Sequence, residues 1–212
     1  MTTLARTLQK NSLAIYAVLF VALIALLYLS PAEATLGNVV KIVYAHGAAE
    51  RVSMYAYLLA GGLGLVALAI RHAPLARWAQ AIAETAIVFW LAQFVISAPA
   101  QVLAWGSFTF DEPRVSGALW ILALTVLVYL VARWVGENGW MALAAVANAV
   151  IFTVVLRGEI DILHPVDPIL GSDSVAIKIF YAAIVLVTGV IAAQFARERA
   201  ENLAKVRELS QG

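Results

Sequence analysis

Charged residues cut this chain into long apolar runs. No Asp, Glu, Lys or Arg lies between Lys10 and Glu33, Arg51 and Arg71, Glu84 and Asp111, Arg114 and Arg133, Glu137 and Arg157, or Lys178 and Arg197. A helix needs about 20 mostly apolar residues to cross a hydrocarbon core roughly 30 Å thick. The pattern therefore predicts six spans, over about 11–31, 46–70, 82–102, 116–133, 140–157 and 176–196, with no room for a seventh. The fold class that follows is all-α: one polytopic membrane domain of six helices, with a cytoplasmic tail at 197–212.

Composition closes off the alternatives. The 212 residues are 63% hydrophobic and 13% charged, against roughly 45–50% and 25% in soluble domains. Disorder needs the opposite balance. With no cysteine, disulfides, iron–sulfur clusters, thiolate metal sites and cysteine nucleophiles are excluded. A net charge of +1 gives no footprint for nucleic acid. The Ala32-Glu33-Ala34 stretch resembles a signal-peptide cleavage site, but the run Leu13–Leu29 exceeds the usual apolar core of about 7–15 residues. It is read as a retained helix.

Orientation follows from the basic residues of short loops. Arg6, Lys10, Arg71, Arg77, Arg133, Arg197, Arg199, Lys205 and Arg207, nine of the 14, fall on one side. Lys41, Arg51, Arg114, Arg157 and Lys178 fall on the other, together with most of the acids. Both termini are thus expected in the cytoplasm of a cell inner membrane. Cytoplasmic connections are expected at Arg71–Ala79 and Val135–Gly139. The outer loops are expected at Ser30–Arg51, Ser97–Ser116 and Arg157–Ser174. Ser97, Pro99 and Gln101 interrupt the third run, so its end is expected to bend or to leave the bilayer.

Three histidines are present: His46 and His164 on the expected outer side and His72 on the inner. Two imidazoles converging at one face suit the axial positions of a haem iron, but with three histidines and two faces some pair must share a side, and on topology alone ordinary interfacial hydrogen bonding is the better account. The outer stretch Trp105-Gly106-Ser107-Phe108-Thr109-Phe110-Asp111-Glu112-Pro113-Arg114 sets three aromatics beside a carboxylate and a guanidinium. Aromatic belts at the interface are routine. A flat aromatic surface next to Arg also suits a planar ligand with carboxylate arms. His46 and Glu50 are one turn apart, so Glu50 is placed to orient the imidazole and Arg51 to reach a propionate; simple anchoring of the span's end accounts for both equally well. Glu84 lies near the inner interface with Arg77 to pair with. No chain of ionisable residues crosses the membrane, which argues against a proton pump or a midplane transporter. Nor do the outer loops hold a nucleophile–base–orienter set. The chain is therefore read as a non-enzyme.

Three stretches resemble the CcmC family, the haem exporter protein C of c-type cytochrome maturation. Lys41-Ile42-Val43-Tyr44-Ala45-His46 is similar to the segment ending in the family's first histidine. Trp105 to Arg114 is similar to its tryptophan-rich signature, the WWD motif, and Asn148 through Leu163-His164-Pro165 to the approach to its second histidine. The resemblance covers roughly Gly37 to Ala196. Phe108 and Phe110 stand at tryptophan positions, and Glu112-Pro113 is interposed before Arg114. Phenylalanine keeps a stacking face but lacks the indole N–H. The resemblance implies haem b bound transiently at the outer face, with His46 and His164 as axial ligands and Trp105, Phe108, Phe110, Asp111, Arg114 and Arg51 around it. It further implies delivery to a periplasmic haem chaperone of the CcmE kind, beside membrane partners of the ABC-transporter kind (CcmA/CcmB-like). Two other functions fit the same spans: an integral haem b electron-transfer subunit, and a scaffold subunit without haem.

Overall fold

The computed structural model describes residues 11–158, 169 and 171–211. Over them run six helices: α1 (Ser12–Leu29), α2 (Val40–Ala69), α3 (Ala73–Trp105), α4 (Pro113–Val135), α5 (Asn138–Gly158) and α6 (Val175–Gln211). Each is long and apolar enough to cross a membrane. Among the described residues the only extended pairing is an isolated bridge between Glu33 and Gly37.

Several helices outrun the expected spans, and the reasons are local. α2 begins at Val40, so His46 sits well inside a helix instead of opening it. Lys41 does not stop this helix because its long side chain reaches away to the carbonyl of Tyr28 at 2.6 Å. The expected connection Arg71–Ala79 shrinks to three residues, Ile70–His72. His72 caps α3 by accepting from the Leu75 N–H at 3.2 Å, and Pro74 stands in the first turn, where its missing N–H costs nothing. At the far end α3 runs through Pro99 to Trp105. At 1.5 Å per residue its 33 residues span about 50 Å, so the helix outruns the hydrocarbon core. It stops at Gly106, whose φ of 81° is a left-handed C-cap conformation.

α2 is the centre of the bundle, packed mainly on α3 and α5, with α6 and α1 alongside. Small residues let α2 and α5 approach closely. A methyl group added at Gly64 would stand 2.6 Å from the carbonyl oxygen of Ala142, and one at Gly61 would stand 2.5 Å from Cβ of Ala149. Tyr57, Trp90 and Phe152 fill the middle, stacked or edge-on at centroid distances of 5.2–6.4 Å. Three of the polar groups there find partners inside the protein, as a lipid surround requires, whereas the buried side chain of Asn148 on α5 makes no hydrogen bond among the described residues. Trp90 Nε1 donates to the Ala118 carbonyl at 2.9 Å, Ser53 to that of Ala86 at 2.8 Å, and Tyr57 shares a 3.1 Å bond with Thr125. α1 is peripheral and buries none of its residues.

At the end of the bundle where α3 starts, the buried carboxylate of Glu84 accepts from Gln80 at 3.0 Å, Tyr129 at 2.8 Å and Arg199 at 2.5 Å. Its cation is therefore Arg199, not the expected Arg77. α6 continues unbroken through the expected tail, which brings Arg199 to Glu84 and Glu198 to Ser12 and Tyr16 of α1. The i,i+4 pair Arg197–Glu201 forms as its spacing predicts, at 2.5 Å.

Candidate functional site

At the opposite end of the bundle, the helices and the 30–39 connection enclose a cavity of about 850 Å3. That lies within the usual range for a small-molecule site, roughly 300–1,000 Å3. His46, Arg51, Trp105 and Arg114 all line it. Residues from distant stretches of sequence thus share one chamber, which Asp173, just before α6, and Tyr181, on α6, also line: α2 brings His46, Glu50 and Arg51, and the end of α3 brings Trp105. The start of α4 brings Arg114, and the connection brings Glu33.

His46 is held across the α2–α3 contact. Its Nδ1 lies 3.1 Å from the main-chain carbonyl of Gln93. A carbonyl oxygen only accepts, so Nδ1 is the donor, and Nε2 is the ring nitrogen left over for a ligand. A fixed N–H partner on one ring nitrogen is what orients a ligating imidazole. The expected orienter, Glu50, is on the other side of the ring: its Oε2 is 4.0 Å from Nε2, and its Oε1 is 3.5 Å from Arg114 Nη1. The three side chains are 19–29% exposed, so they face the cavity without being sealed from water.

The loop between α3 and α4 divides in two. Trp105 and Arg114 line the cavity, whereas Phe108, Phe110 and Asp111 are not among its lining residues. Phe108 and Phe110 pack edge-on against each other at 5.0 Å, with Phe110 58% exposed. Asp111 is exposed and closes a small turn with Thr109, accepting from its hydroxyl at 3.3 Å. Glu112-Pro113 starts α4. The Glu112 carboxylate is buried and accepts from the Val115 N–H at 3.0 Å, with Pro113 in the first turn. A carboxylate followed by proline is a helix-start signal that the sequence carried openly.

Glu33 folds the connection over the cavity. Its carboxylate accepts from the backbone N–H groups of Leu36 and Thr35, both at 2.8 Å. Those bonds hold its pKa below the ordinary value of 4.5. His72 is the helix cap at the other end of the bundle and takes no part in the site. His164, the second expected iron ligand, lies outside the described residues. Among the described residues no three His, Cys, Asp or Glu side chains cluster as a metal-ion site. No protein-family model matches the chain, and no curated protein matches it significantly.

Proposed function

We propose that the chain is a haem-handling membrane protein that holds haem b as cargo in the cavity at the His46 end. One observation supports this most directly: the Gln93 carbonyl fixes Nδ1 of His46, leaving Nε2 to bind iron in a chamber also lined by Arg51, Arg114 and Trp105. An imidazole nitrogen is a preferred axial ligand, the two guanidiniums match two propionates, and Trp105 offers a flat face for the ring. The residues present therefore fit the group. His164 is the second axial ligand in this proposal, on the strength of the CcmC resemblance.

The same resemblance assigns the direction of traffic. The cavity faces the periplasm, both termini face the cytoplasm, and the nine basic residues on the inner side agree with that orientation. Haem passes from the cavity to a periplasmic chaperone of the CcmE kind, with ABC-transporter-type subunits alongside in the inner membrane. The chain collects and presents the cargo, and none of its residues need react with it. A permanent electron-transfer haem is the weaker alternative, since the bundle's middle is packed by Tyr57, Trp90 and Phe152.

The test is an absorption spectrum of the purified protein titrated with haem. A Soret band of low-spin bis-imidazole type, lost in His46→Ala, is the expected result. Titration that gives the same spectrum with and without His46 overturns the proposal. Reporter fusions placing His46 and His72 on the same side of the membrane would remove the topology beneath it.

A further inference from the structure

We infer that Glu50 holds the ligand's place in this site: its carboxylate engages the two groups a haem needs, and loading requires its displacement. This rests on the haem-handling proposal above and assigns Glu50 a role the proposal does not use.

Three distances carry it. His46 is already oriented from behind by the Gln93 carbonyl at 3.1 Å, so the ring does not depend on Glu50 for its position. Glu50 instead sits on the Nε2 side, 4.0 Å from the nitrogen that must reach iron. Its other oxygen lies 3.5 Å from Arg114 Nη1, the donor suited to a propionate. A single carboxylate therefore spans an imidazole nitrogen and a guanidinium, much as an iron and a propionate on one porphyrin would span them. The i,i+4 spacing on α2 makes this geometry a property of the helix. In the unloaded protein Glu50 keeps Arg114 paired. In the loaded protein it must turn out of the way, which its partly exposed position allows.

Such a residue weakens haem affinity and hastens release, as suits a protein that passes its cargo on. Glu50→Gln keeps the shape and removes the charge. Part-exposed ion pairs are worth up to about 1 kcal/mol, so the variant is expected to bind haem roughly 3- to 5-fold more tightly. The low-spin spectrum should be unchanged and haem release slowed. In an Arg114→Gln background the same change should gain less, because the guanidinium contested by Glu50 and propionate is gone.

The experiment is haem titration and release for the parent, E50Q, R114Q and the double variant, with His46→Ala as control. Glu50→Ala is measured in parallel, and circular dichroism checks the fold. A His46-dependent band in the parent with equal or weaker binding in both Glu50 variants overturns the inference and leaves the haem proposal standing. No His46-dependent band in the parent or either Glu50 variant overturns both.

Discussion

His46 on α2 and Gln93 on α3 are joined by a 3.1 Å contact between an imidazole Nδ1 and a main-chain carbonyl. The partner is backbone, so no side-chain change at position 93 removes it, and the packing of α2 on α3 sets the ring. His46→Ala is expected to abolish stable haem binding with the fold intact. His72→Ala should leave haem binding unchanged and cost about 0.5–2 kcal/mol of stability through loss of the α3 cap. Haem titration and thermal melts of the two variants check this. A large loss of haem in His72→Ala would place the site at the other end of the bundle.

The spans were legible because lipid imposes one rule on every segment, and the charge-free runs obey it. Helix ends were less legible, because charges near the interface were read as boundaries. Lys41 instead reaches to the Tyr28 carbonyl, and Arg199 lies inside a helix that continues to Gln211. Of the site, the gathering of His46, Arg51, Trp105 and Arg114 at one end of the bundle was readable from topology. The place of Glu50 was not. Spacing puts it one turn from His46, but which ring nitrogen it faces depends on α3 supplying a carbonyl to the other.

Glu84 and Arg199 tie α3 to α6 at the end away from the cavity. Glu84 is 9% and Arg199 33% exposed, so the pair is neither sealed nor free in water. Removing one partner of a fully buried pair costs about 3–5 kcal/mol. With the guanidinium partly solvated, Arg199→Ala is expected to cost about 1–3 kcal/mol. Arg77→Ala should cost little. Melting temperatures in detergent compare the two, and equal losses would contradict the observed pairing.

Gly64 and Gly62 differ by two positions and by everything they face. A Cβ at Gly64 meets the Ala142 carbonyl at 2.6 Å, whereas one at Gly62 meets nothing within 4 Å. Gly64→Ala should force α2 and α5 apart and cost about 1–3 kcal/mol. Gly62→Ala should be neutral or stabilise by up to about 1 kcal/mol, through helix propensity. The thermal stability of the two variants decides it.

Glu33 gives the loop over the cavity a pH dependence with a definite sign. Its folded pKa is lowered, first by the Leu36 N–H and then by that of Thr35. Its stabilisation of the loop is therefore complete above the ordinary carboxylate value and is lost as pH falls through the lowered folded value. Protection factors for the amides of Thr35 and Leu36 should fall on acidification through that window. In Glu33→Gln they should be low and flat across it. An unchanged profile in the variant would show that other contacts hold the loop.

The loop between α3 and α4 separates a haem platform from an interfacial belt, and its geometry ranks the residues. Arg114 and Trp105 line the cavity; Phe108 and Phe110 are outside its lining and pack on each other. Arg114→Gln removes a charge-assisted partner worth roughly 1.5–3 kcal/mol, so haem affinity should fall at least ~10-fold. Trp105→Leu keeps apolar bulk and loses the flat face, and aromatic contacts of that kind are worth about 0.5–1.5 kcal/mol. A loss of about 2- to 10-fold is expected. The double change Phe108→Leu and Phe110→Leu should weaken haem binding less than either, and it should act chiefly on the loop through loss of their edge-on contact. A belt predicts another order: expression and melting temperature move in all three variants while haem affinity stays at the parent value in the protein that folds. Titrating each variant with haem beside its thermal melt resolves the two. If the phenylalanine pair proves the most damaging to affinity, the haem lies on the loop's outer surface and the cavity is not its seat.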